Sequence, residues 1–435
     1  MDFEYSEKSL ELQAKLKTFM DEHIIPRHAQ FLKEAKNGSH VISFMDDLKE
    51  LAREEGLWNM FLPALKDDEP GTRLSNMDYA PLAEIMGRIL WASEVFNCSA
   101  PDTGNMEILH MFGTDEQKEK WLKPLLNGEI RSAFSMTEPD VASADATNIE
   151  TVIRREGDEY VINGRKWFST GAASPRCKVA IVMGKTAPDN PNRHEQQSMV
   201  LVPLDTPGVT ITRNIPVMNH ESYESHCEIV YRNVRVPVSN LLGEENAGFA
   251  IAQARLGPGR IHHCMRSIGQ SELAFEMMVE RSLERKTFGK YLHEHGMMQE
   301  KIARSRMEIE QARLLVLKAA WLIDRYGVKA ARNEVGLIKV VVPEMHCNVT
   351  DRAMQTFGGM GLTPDVPLPD LWTMARTLKL ADGPDEVHMQ TIARMAVKQA
   401  KAGPRDSYKY MTPPDRATEA DMRDTRPEPV GVAAQ

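Results

Sequence analysis

The sequence has few cysteines, and those it has are scattered. Its 435 residues include five, which are Cys98, Cys177, Cys227, Cys264 and Cys347. Their number is odd, and no two of them form a CxxC pair. This spacing argues against a disulfide framework and against a structural zinc site, and it fits a reducing compartment.

Long hydrophobic runs and excess positive charge are also missing. No stretch of about 18 apolar residues occurs, so we expect no segment that spans a bilayer. The N-terminus lacks the basic and apolar regions of a secretion signal, and the C-terminal Ala-Ala-Gln is not a peroxisomal signal. A net charge of −9 disfavours nucleic acid as a partner.

Several common catalytic motifs are absent as well. There is no GxGxxG after a strand, no Walker A lysine loop, no HExxH and no GxSxG. A nicotinamide Rossmann site, a P-loop NTPase, a zincin and an α/β-hydrolase therefore lose support. His262, His263 and Cys264 are adjacent, but neighbouring residues of a helix face different directions. A shared metal or nucleophilic role for these three side chains is therefore disfavoured.

The hydrophobic pattern changes twice along the chain. Residues 1–131 read as helical, with a capping box at Thr114–Gln117 and a helix stop at Asn127-Gly128. Residues 242–402 show helical periodicity again and predict a four-helix bundle. Its clearest apolar stripe consists of Ile309, Ala312, Val316, Ala319 and Ile323. Residues 403–435 are a proline-rich tail.

Residues 132–241, between the helical parts, predict a small β domain. Asn163-Gly164 predicts a hairpin turn. Short β-branched runs separated by turn residues favour an antiparallel barrel or sandwich, with strands at 179–183, 199–202, 209–211 and 228–231. The order helix, sheet, helix excludes an alternating βαβ fold and makes the fold class α+β.

Four segments carry binding or catalytic chemistry, and three of them also allow a plain structural interpretation. Residues 134–143, FSMTEPDVAS, suit a polar planar ligand, although from chemistry alone an ordinary linker is the better fit. Residues 284–290, ERKTFGK, complement phosphate or form a solvated loop. Residues 355–361, QTFGGMG, let a ligand approach the backbone or simply end a helix. Residues 381–388, ADGPDEVH, place acidic residues beside glycine and proline.

Together with Trp167-Phe168-Ser169, these segments resemble the acyl-CoA dehydrogenase family over residues 5–400. The amino-acid sequences of segments 137–143, 257–263 and 381–388 most resemble those of the subgroup typified by vertebrate family members ten and eleven. The resemblance implies an FAD-dependent dehydrogenase of acyl-CoA in fatty acid β-oxidation. It also implies a homo-oligomer, dimer or tetramer, that passes electrons to an electron-transferring flavoprotein. Bacterial relatives of about this length lead us to expect a cytoplasmic protein.

The resemblance also implies roles for individual residues. Asp382 falls on the family's catalytic carboxylate. Cofactor-binding positions are Phe134, Met136, Thr137, Ser143, Trp167, Phe168, Ser169, Arg285, Thr287, Gln355, Gly358, Gly359, Pro384, Asp385 and Glu386. Substrate-binding positions are Ser143, Gly257, Arg260 and Gly383. In the family, the 284–290 and 355–361 segments contact the FAD of a neighbouring subunit.

In the implied mechanism, Asp382 takes the α-proton and FAD N5 accepts the β-hydride. The Asp382 backbone N–H and an FAD ribityl hydroxyl then bond the thioester oxygen. We expect bound substrate to raise the pKa of Asp382, because burial beside flavin and acyl chain disfavours the carboxylate. Some relatives carry the base one residue before the arginine, but Gly259 stands there.

Two departures from the family pattern keep alternatives open. The usual base is glutamate, whereas related nitroalkane oxidases also use aspartate at this position. A flavin oxidase acting on acyl-CoA or a nitroalkane is therefore one alternative, and a non-catalytic assembly protein is another. Ala381 replaces a commoner tyrosine, which leaves room beside the base for a bulky acyl chain.

Overall fold

The computed structural model describes residues 4–36, 40–219, 223 and 225–403. In chain order these residues form a helical part, a sheet and a second helical part, which confirms the predicted α+β class. Within the described ranges, no helix combines the length and the apolar character that a membrane span requires. The predicted proline-rich tail lies outside the described residues from position 404 onwards.

The first helical part is built of α-helices with π-helical turns at Met20–Ile24 and Lys118–Leu122. Its α-helices are α1 (Glu7–Phe19), α2 (His28–Ala35), α3 (Met45–Glu54), α4 (Asn76–Gly87), α5 (Ala92–Val95), α6 (Asp102–Phe112), α7 (Asp115–Gln117) and α8 (Lys123–Leu126). The predicted capping box is present, because Thr114 and Gln117 bond each other's backbone N–H groups. Gly128, at φ +63°, follows α8 at the predicted stop.

The middle part is an eight-stranded mixed sheet of order β6-β7-β3-β2-β4-β5-β8, with β1 paired to β4. Its strands are β1 (Arg131–Ser135), β2 (Val152–Glu156), β3 (Glu159–Thr170), β4 (Cys177–Lys185), β5 (Gln197–Pro203), β6 (Val209–Asn214), β7 (His226–Pro237) and β8 (Leu241–Leu242). The four predicted strand runs lie in β4 to β7. A purely antiparallel sheet is wrong, because β1 and β2 both pair with β4 in parallel. The long segment between β1 and β4 lets the chain return in the same direction.

The hairpin turn predicted at Asn163-Gly164 is also wrong. β3 runs through both residues, and the turn between β2 and β3 falls at Gly157, φ +61°. The register between β3 and β7 shifts between Ile162 and Gly164, which forms a bulge. A Cβ built on Gly164 would lie 2.2 Å from Thr151 Oγ1. Glycine is therefore required here for close packing of the backbone, not for a turn.

The second helical part consists of α9 (Gly248–Glu284), α10 (Gly296–Tyr326), α11 (Arg332–Phe357), α12 (Leu368–Leu378) and α13 (Asp385–Ala402). A short ribbon of β9 (Lys286–Thr287) and β10 (Lys290–Tyr291) separates α9 from α10. α9, α10 and α11 pack against one another, and α12 and α13 pack on α11 to complete the predicted bundle. The predicted stripe on α10 is buried, and each large aliphatic side chain in it contributes about 1.5–3 kcal/mol.

The two helical parts meet where α4 crosses α9. A Cβ built on Gly87 would lie 2.4 Å from Arg266 O, and one built on Gly269 would lie 2.0 Å from Glu84 O. The two glycines therefore let the helices touch backbone to backbone. α6 also packs against α9. The first helical part thus covers the same long helix that carries several residues of the site described next.

Candidate active site

The loop between α12 and α13 carries Asp382 in an uncommon backbone conformation. Its φ is +56°, in the left-handed region that aspartate tolerates better than most residues. Gly383 follows at φ +101°, and a Cβ built on it would lie 2.8 Å from His388 Nε2. The same His388 nitrogen lies 3.2 Å from Asp382 O. Such conformations persist where the surroundings fix the backbone, and they are frequent at functional sites.

Two long basic side chains also hold this loop by its backbone carbonyls. Lys339, which is fully buried in α11, donates from Nζ to Leu378 O at 2.6 Å and to Ala381 O at 2.8 Å. Arg260 of α9 donates to Asp382 O from Nε at 3.2 Å and from Nη2 at 3.1 Å. The loop is therefore fixed through its main chain and does not depend on the Asp382 carboxylate.

The main-chain N–H of Asp382 has no hydrogen-bond acceptor in the described part of the chain. By contrast, the N–H of Ala381 donates to Thr377 O, and that of Asp385 donates to Lys379 O. The Asp382 side chain is 19% exposed. A carboxylate and a backbone donor of the same residue are thus both open to a ligand.

Positive charge surrounds the Asp382 carboxylate. His263 Nε2 of α9 lies 3.3 Å from Asp382 Oδ2. Burial acts to raise the pKa of Asp382, but the groups around it outweigh burial, and the pKa lies below its ordinary value. The cations among these groups are Arg255, Lys339 and Arg260, whereas burial lowers the pKa of His263 to about 3, so its ring is neutral at pH 7. The expected rise concerns the substrate complex and stays a prediction.

A buried ion pair fixes the loop that follows β1. Lys166 of β3 donates from Nζ to Glu138 Oε1 at 2.8 Å and to Met136 O at 2.7 Å. Glu138 also accepts the backbone N–H groups of Glu150 and Thr151, at 2.6 and 2.9 Å. Burial acts to raise the pKa of Glu138, but Lys166 and these bonds lower it. Burial lowers the pKa of Lys166 to about 8. This carboxylate has its partners within the protein.

The predicted flavin neighbours meet where β1 and β3 end. Trp167 donates its backbone N–H to Thr137 O at 3.0 Å, and Ser169 Oγ lies 2.9 Å from Ser135 Oγ. Phe168, at φ +51°, is 42% exposed, and its ring centroid lies 5.0 Å from that of Trp167. Trp167 Nε1 is buried and has no hydrogen-bond partner among the described residues.

This strand edge fits the ring system of FAD. An unpaired indole N–H, an exposed aromatic ring and the half-buried Phe134 and Met136 combine a polar donor with apolar surface, as planar cofactors require. Ser143 shapes the adjoining loop, because its Oγ accepts the Glu138 N–H at 2.9 Å and donates to Glu138 O at 3.2 Å.

Arg255 of α9 connects the strand edge with the Asp382 loop. Its guanidinium lies 4.1 Å from the centre of the Phe134 ring, and its Nε donates to Asn105 Oδ1 at 3.0 Å. Its charge also acts on Asp382 and on Glu107 of α6. Burial raises the pKa of Glu107 to about 8, so this carboxyl is mostly neutral at pH 7. The structure therefore brings Phe134 and the Asp382 carboxylate into the surroundings of one half-buried cation.

Other predicted cofactor residues lie far from Asp382 within one chain. Gln355 comes sixteen residues after Lys339 on α11, which is about 24 Å of helix axis. Arg285 and Thr287 follow the end of α9, about 36 Å along the axis from Arg260. One chain therefore presents two separate groups of predicted FAD contacts.

The distal group forms an open surface. Arg281 joins its two segments, since its guanidinium lies 5.2 Å from the centre of the Phe357 ring. Cβ atoms built on Gly358 and Gly359 meet nothing within 4 Å. Phe288, at the tip of the ribbon between β9 and β10, is 96% exposed. A large apolar ring in solvent beside open glycines is typical of a surface that another molecule covers.

The remaining predicted positions are placed as follows. Pro384 is the N-cap of α13, Asp385 pairs with Lys379 Nζ at 2.7 Å, and Glu386 is exposed in the first turn. Gly257 is buried, and a Cβ built on it would lie 2.6 Å from a valine methyl group. Close packing is sufficient to explain that glycine.

Sequence reasoning missed four side chains that surround Asp382, which are Arg255, His263, Lys339 and His388. The signal for Arg255 and Lys339 is a basic residue within a helical stretch of mostly apolar residues, which is weak alone. The argument against a shared role of His262 and His263 holds, because the His262 ring packs on Tyr79 at 4.9 Å. That argument says nothing about a separate partner for His263, and the structure supplies one.

Comparisons with known proteins agree over almost the whole described chain. Models of the acyl-CoA dehydrogenase N-terminal, middle and C-terminal domains match residues 6–129, 133–234 and 246–397. The "Probable acyl-CoA dehydrogenase FadE2" of Mycobacterium tuberculosis is 54% identical over 410 residues, which are 92% of this chain and 98% of that protein.

Two further matches extend this picture. Acyl-CoA dehydrogenase family member 11 of Gallus gallus is 51% identical over 400 residues, covering 90% of this chain and 51% of that protein, so the chain spans about half the length of this vertebrate relative. A solved structure from Mycobacterium abscessus, assigned to the acyl-CoA dehydrogenases, matches with a TM-score of 0.88 at 50% identity over 91% of this chain and 100% of that one. The resemblance drawn from the motifs, including its subgroup, is confirmed.

Proposed function

Because the chain belongs to the acyl-CoA dehydrogenase family of FAD-dependent oxidoreductases, we propose that it oxidises the Cα–Cβ bond of an acyl-CoA thioester to the trans-2-enoyl-CoA. Asp382 is the base that takes the α-proton. The observation that carries this proposal is an ionised carboxylate and a free N–H on one clamped residue. Both groups are needed when an enolate forms from a thioester.

The direction of the Asp382 N–H follows from the hydrogen bond that fixes the carbonyl of the preceding residue, Ala381. In a trans peptide, the carbonyl of Ala381 and the N–H of Asp382 point in opposite directions. Lys339 holds the Ala381 carbonyl at 2.8 Å, so it aims the N–H away from α11. We infer that this N–H donates to the thioester oxygen, where negative charge develops as the α-proton leaves.

The chemistry divides between the cofactor and the chain. FAD, when bound, accepts the β-hydrogen as a hydride. The Asp382 carboxylate accepts the α-proton, and Arg260 keeps the carboxylate near the reacting carbon by holding the Asp382 carbonyl. Ser143, Gly257 and Gly383 border the path that we assign to the CoA thioester. Ala381, exposed and small, leaves room for a bulky acyl chain.

The separation of the two cofactor surfaces supports a homo-oligomer. Phe134, Met136, Thr137, Trp167, Phe168 and Ser169 hold the flavin ring of their own chain, and Pro384, Asp385 and Glu386 lie beside it. The distal residues bind the FAD of a second copy, as a dimer or tetramer requires; they are Arg285, Thr287, Gln355, Gly358 and Gly359. The same proposal includes an electron-transferring flavoprotein as acceptor and a place in cytoplasmic fatty acid β-oxidation in a bacterium.

An anaerobic titration of the purified yellow protein tests the function. We expect acyl-CoA thioesters of a suitable chain length to bleach the flavin absorbance, and nitroalkanes to leave it unchanged. A panel of straight, branched and cyclic thioesters that leaves the flavin oxidised contradicts the proposal.

The reduced protein then distinguishes a dehydrogenase from an oxidase. We expect slow reoxidation in air and fast reoxidation by an electron-transferring flavoprotein. Rapid reoxidation in air with release of hydrogen peroxide would instead identify a flavin oxidase. Free CoA, which cannot undergo the reaction, is the control for absorbance changes caused by binding alone.

A further inference from the structure

His263 lies in a chain of polar contacts that ends at the proposed base. Its Nε2 is 3.3 Å from Asp382 Oδ2, and its Nδ1 is 3.1 Å from Nη2 of Arg266. Arg266 is fixed in turn, because its Nη1 donates to Cys98 O at 3.3 Å. The imidazole is therefore bonded at Nδ1 by a group on its own helix, and its Nε2 lies close to a carboxylate on the α12–α13 loop.

The partners of His263 determine which of its nitrogens carries the proton. A guanidinium can only donate hydrogen bonds, so His263 Nδ1 must accept and must be unprotonated. Burial and Arg266 lower the pKa of His263 to about 3, so the ring is neutral at pH 7. A neutral imidazole with an unprotonated Nδ1 carries its proton on Nε2. Nε2 lies 3.3 Å from Oδ2 of the Asp382 carboxylate, but the N–H is not aligned with that oxygen, so a small rotation of either side chain is needed to form a hydrogen bond.

This arrangement assigns different roles to the two residues. His263 has no free lone pair, since one nitrogen accepts from Arg266 and the other carries a proton. It cannot act as the base itself, unlike the histidine of a catalytic triad. The Asp382 carboxylate remains the proton acceptor, and its Oδ2 is the oxygen nearest to the histidine.

We propose that His263 is a positioning residue: after a small rotation, its Nε2–H donates to Asp382 Oδ2 and so orients the carboxylate to take the α-proton at Oδ1. This role rests on the proposed function, because it presupposes that Asp382 is the base. No charge moves through the histidine. The proton passes from the α-carbon to Asp382, and the imidazole keeps its own proton throughout.

The surrounding charges explain why orientation, more than charge, is the contribution of His263. The titratable and charged groups that face this pair are Arg255, Arg260, Cys264 and Arg266 of α9, Glu107 of α6, Lys339 of α11, and Asp385 and His388 of α13. Three cations among them act on the carboxylate without the histidine. A neutral hydrogen-bond donor contributes orientation, because a hydrogen bond is directional and fixes the rotation of the carboxylate. The electrostatic attraction of the surrounding cations does not fix that rotation.

The neighbouring histidine provides a matched control. His262 is fully buried on the same helix, its ring packs on Tyr79, and neither ring nitrogen has a hydrogen-bond partner among the described residues. His262→Leu and His263→Leu therefore remove the same group from adjacent positions. Only the second variant removes a donor to the base.

Variants of His263 with and without a donor at the Nε2 position test the proposal. His263→Gln can place an amide N–H near that position, whereas His263→Leu has no donor and the shorter His263→Asn cannot reach. We measure the rate of flavin reduction by saturating acyl-CoA in anaerobic stopped flow from pH 5 to 9. We expect about a tenfold loss in His263→Leu and His263→Asn, the order that one hydrogen bond to a charged group supplies.

The same experiment has readouts that a purely structural role would not change. In His263→Leu and His263→Asn the acid limb of the reduction rate moves to higher pH, because the carboxylate loses a donor to its charged form. KM stays within about twofold, and His263→Gln and His262→Leu stay within about threefold of the unchanged protein at every pH. Equal rates and equal acid limbs in all four variants overturn the proposal. If His263→Leu fails to fold, the comparison of glutamine with asparagine decides.

A second measurement does not depend on turnover. In protein labelled with ¹⁵N-histidine, the His263 resonances, assigned by their loss in His263→Gln, should show an unprotonated Nδ1 and a protonated Nε2 from pH 5 to 9. A proton on Nδ1, or titration near pH 6.5, overturns the proposal. If no thioester reduces the flavin but this tautomer is found, the contact stands and the proposed function fails. If the flavin is reduced but the tautomer is reversed, the function stands and the positioning role fails.

Discussion

Two carboxylates lie near the proposed flavin site, and the protein surrounds them differently. Glu138 is almost fully buried and accepts from Lys166 Nζ and from two backbone N–H groups. Asp382 is also ionised and lies among cations, but its side chain is 19% exposed and only the Nε2 of His263 lies within hydrogen-bond range among the described residues. One carboxylate is saturated by the protein, and the other keeps capacity for an external atom.

The two residues also differ in which part of each makes the hydrogen bonds that fix the surrounding structure. Glu138 holds its surroundings through its side chain, because its oxygens tie Lys166 to the turn before β2. Asp382 is held by its own carbonyl and those of its neighbours, through Arg260, Lys339 and His388. The contrast teaches that the saturated carboxylate stabilises the fold, whereas the open one is free to react. The following predictions test this division.

The largest effect is expected for Asp382→Asn. Asparagine tolerates the left-handed backbone and keeps the main-chain bonds to Arg260 and Lys339, so we expect folding and FAD content to be retained. Loss of the base should slow flavin reduction by about 10³-fold. Stopped-flow reduction and the visible flavin spectrum measure the two properties. Reduction within about threefold of the unchanged protein would exclude Asp382 as the base.

For Glu138→Gln we expect the reverse pattern, a large loss of stability with little loss of activity. The change leaves the Lys166 cation buried without its counter-charge, which costs about 3–5 kcal/mol of stability. A large fall in the thermal midpoint should accompany a reduction rate close to normal at low temperature. The double variant Glu138→Gln, Lys166→Met removes both charges and should recover most of the lost stability. A midpoint unchanged in the single variant would contradict a stabilising role.

A smaller effect is expected for Gly383→Ala. The backbone at φ +101° disfavours a Cβ, which would also approach His388 Nε2 to 2.8 Å, so a cost of about 1–3 kcal/mol is expected. Because His388 contacts the Asp382 carbonyl, we expect a loss of about tenfold in flavin reduction as the loop shifts. Gly157→Ala, at φ +61° with open space around it, is the control for backbone strain away from the site. Equal losses of activity in both variants would refute the role of the clamped loop.

The smallest effect is expected in the pH dependence. Both carboxylates have folded-state pKa values below their ordinary values. The stability they contribute is therefore complete above the ordinary values, about pH 4, and is lost as the pH falls through the lower folded values. We expect kcat/KM to show no acid limb from Asp382 between pH 5 and 8. A limb centred near pH 6 that disappears in Asp382→Glu or shifts with it would contradict an ionised base in the free protein.

Local signals in the sequence predict much of this fold, and the tertiary contacts lie beyond them. The capping box at Thr114 and the stripe on α10 depend on residues close together in the sequence, so the sequence pattern is sufficient to predict them. The direction in which β1 and β4 pair depends on a long connection, which the residues of either strand do not record. Asn163-Gly164 fits a turn locally, but its close packing against Thr151, the residue before β2, lies outside the local sequence pattern.

The same limit applies to the candidate site. Asp382 and the strand-edge residues stand in recognisable segments, so the family resemblance points to them. His263, Lys339 and Arg255 belong to helices whose pattern gives no hint of the loop they face, and the contacts span about 40 to 130 residues of chain. Their roles follow from the crossing of α9 with the rest of the bundle, which only the folded chain reveals.

The clamp on the Asp382 loop has a consequence for how this protein family can diversify. Arg260, Lys339 and His388 grip peptide carbonyls, a group that every amino acid brings to the chain. Among residues that tolerate φ +56°, the side chain at position 382 can therefore be exchanged during descent while the frame that aims it stays intact. New reactivity at this position needs a single codon change on an inherited backbone, not a newly built pocket.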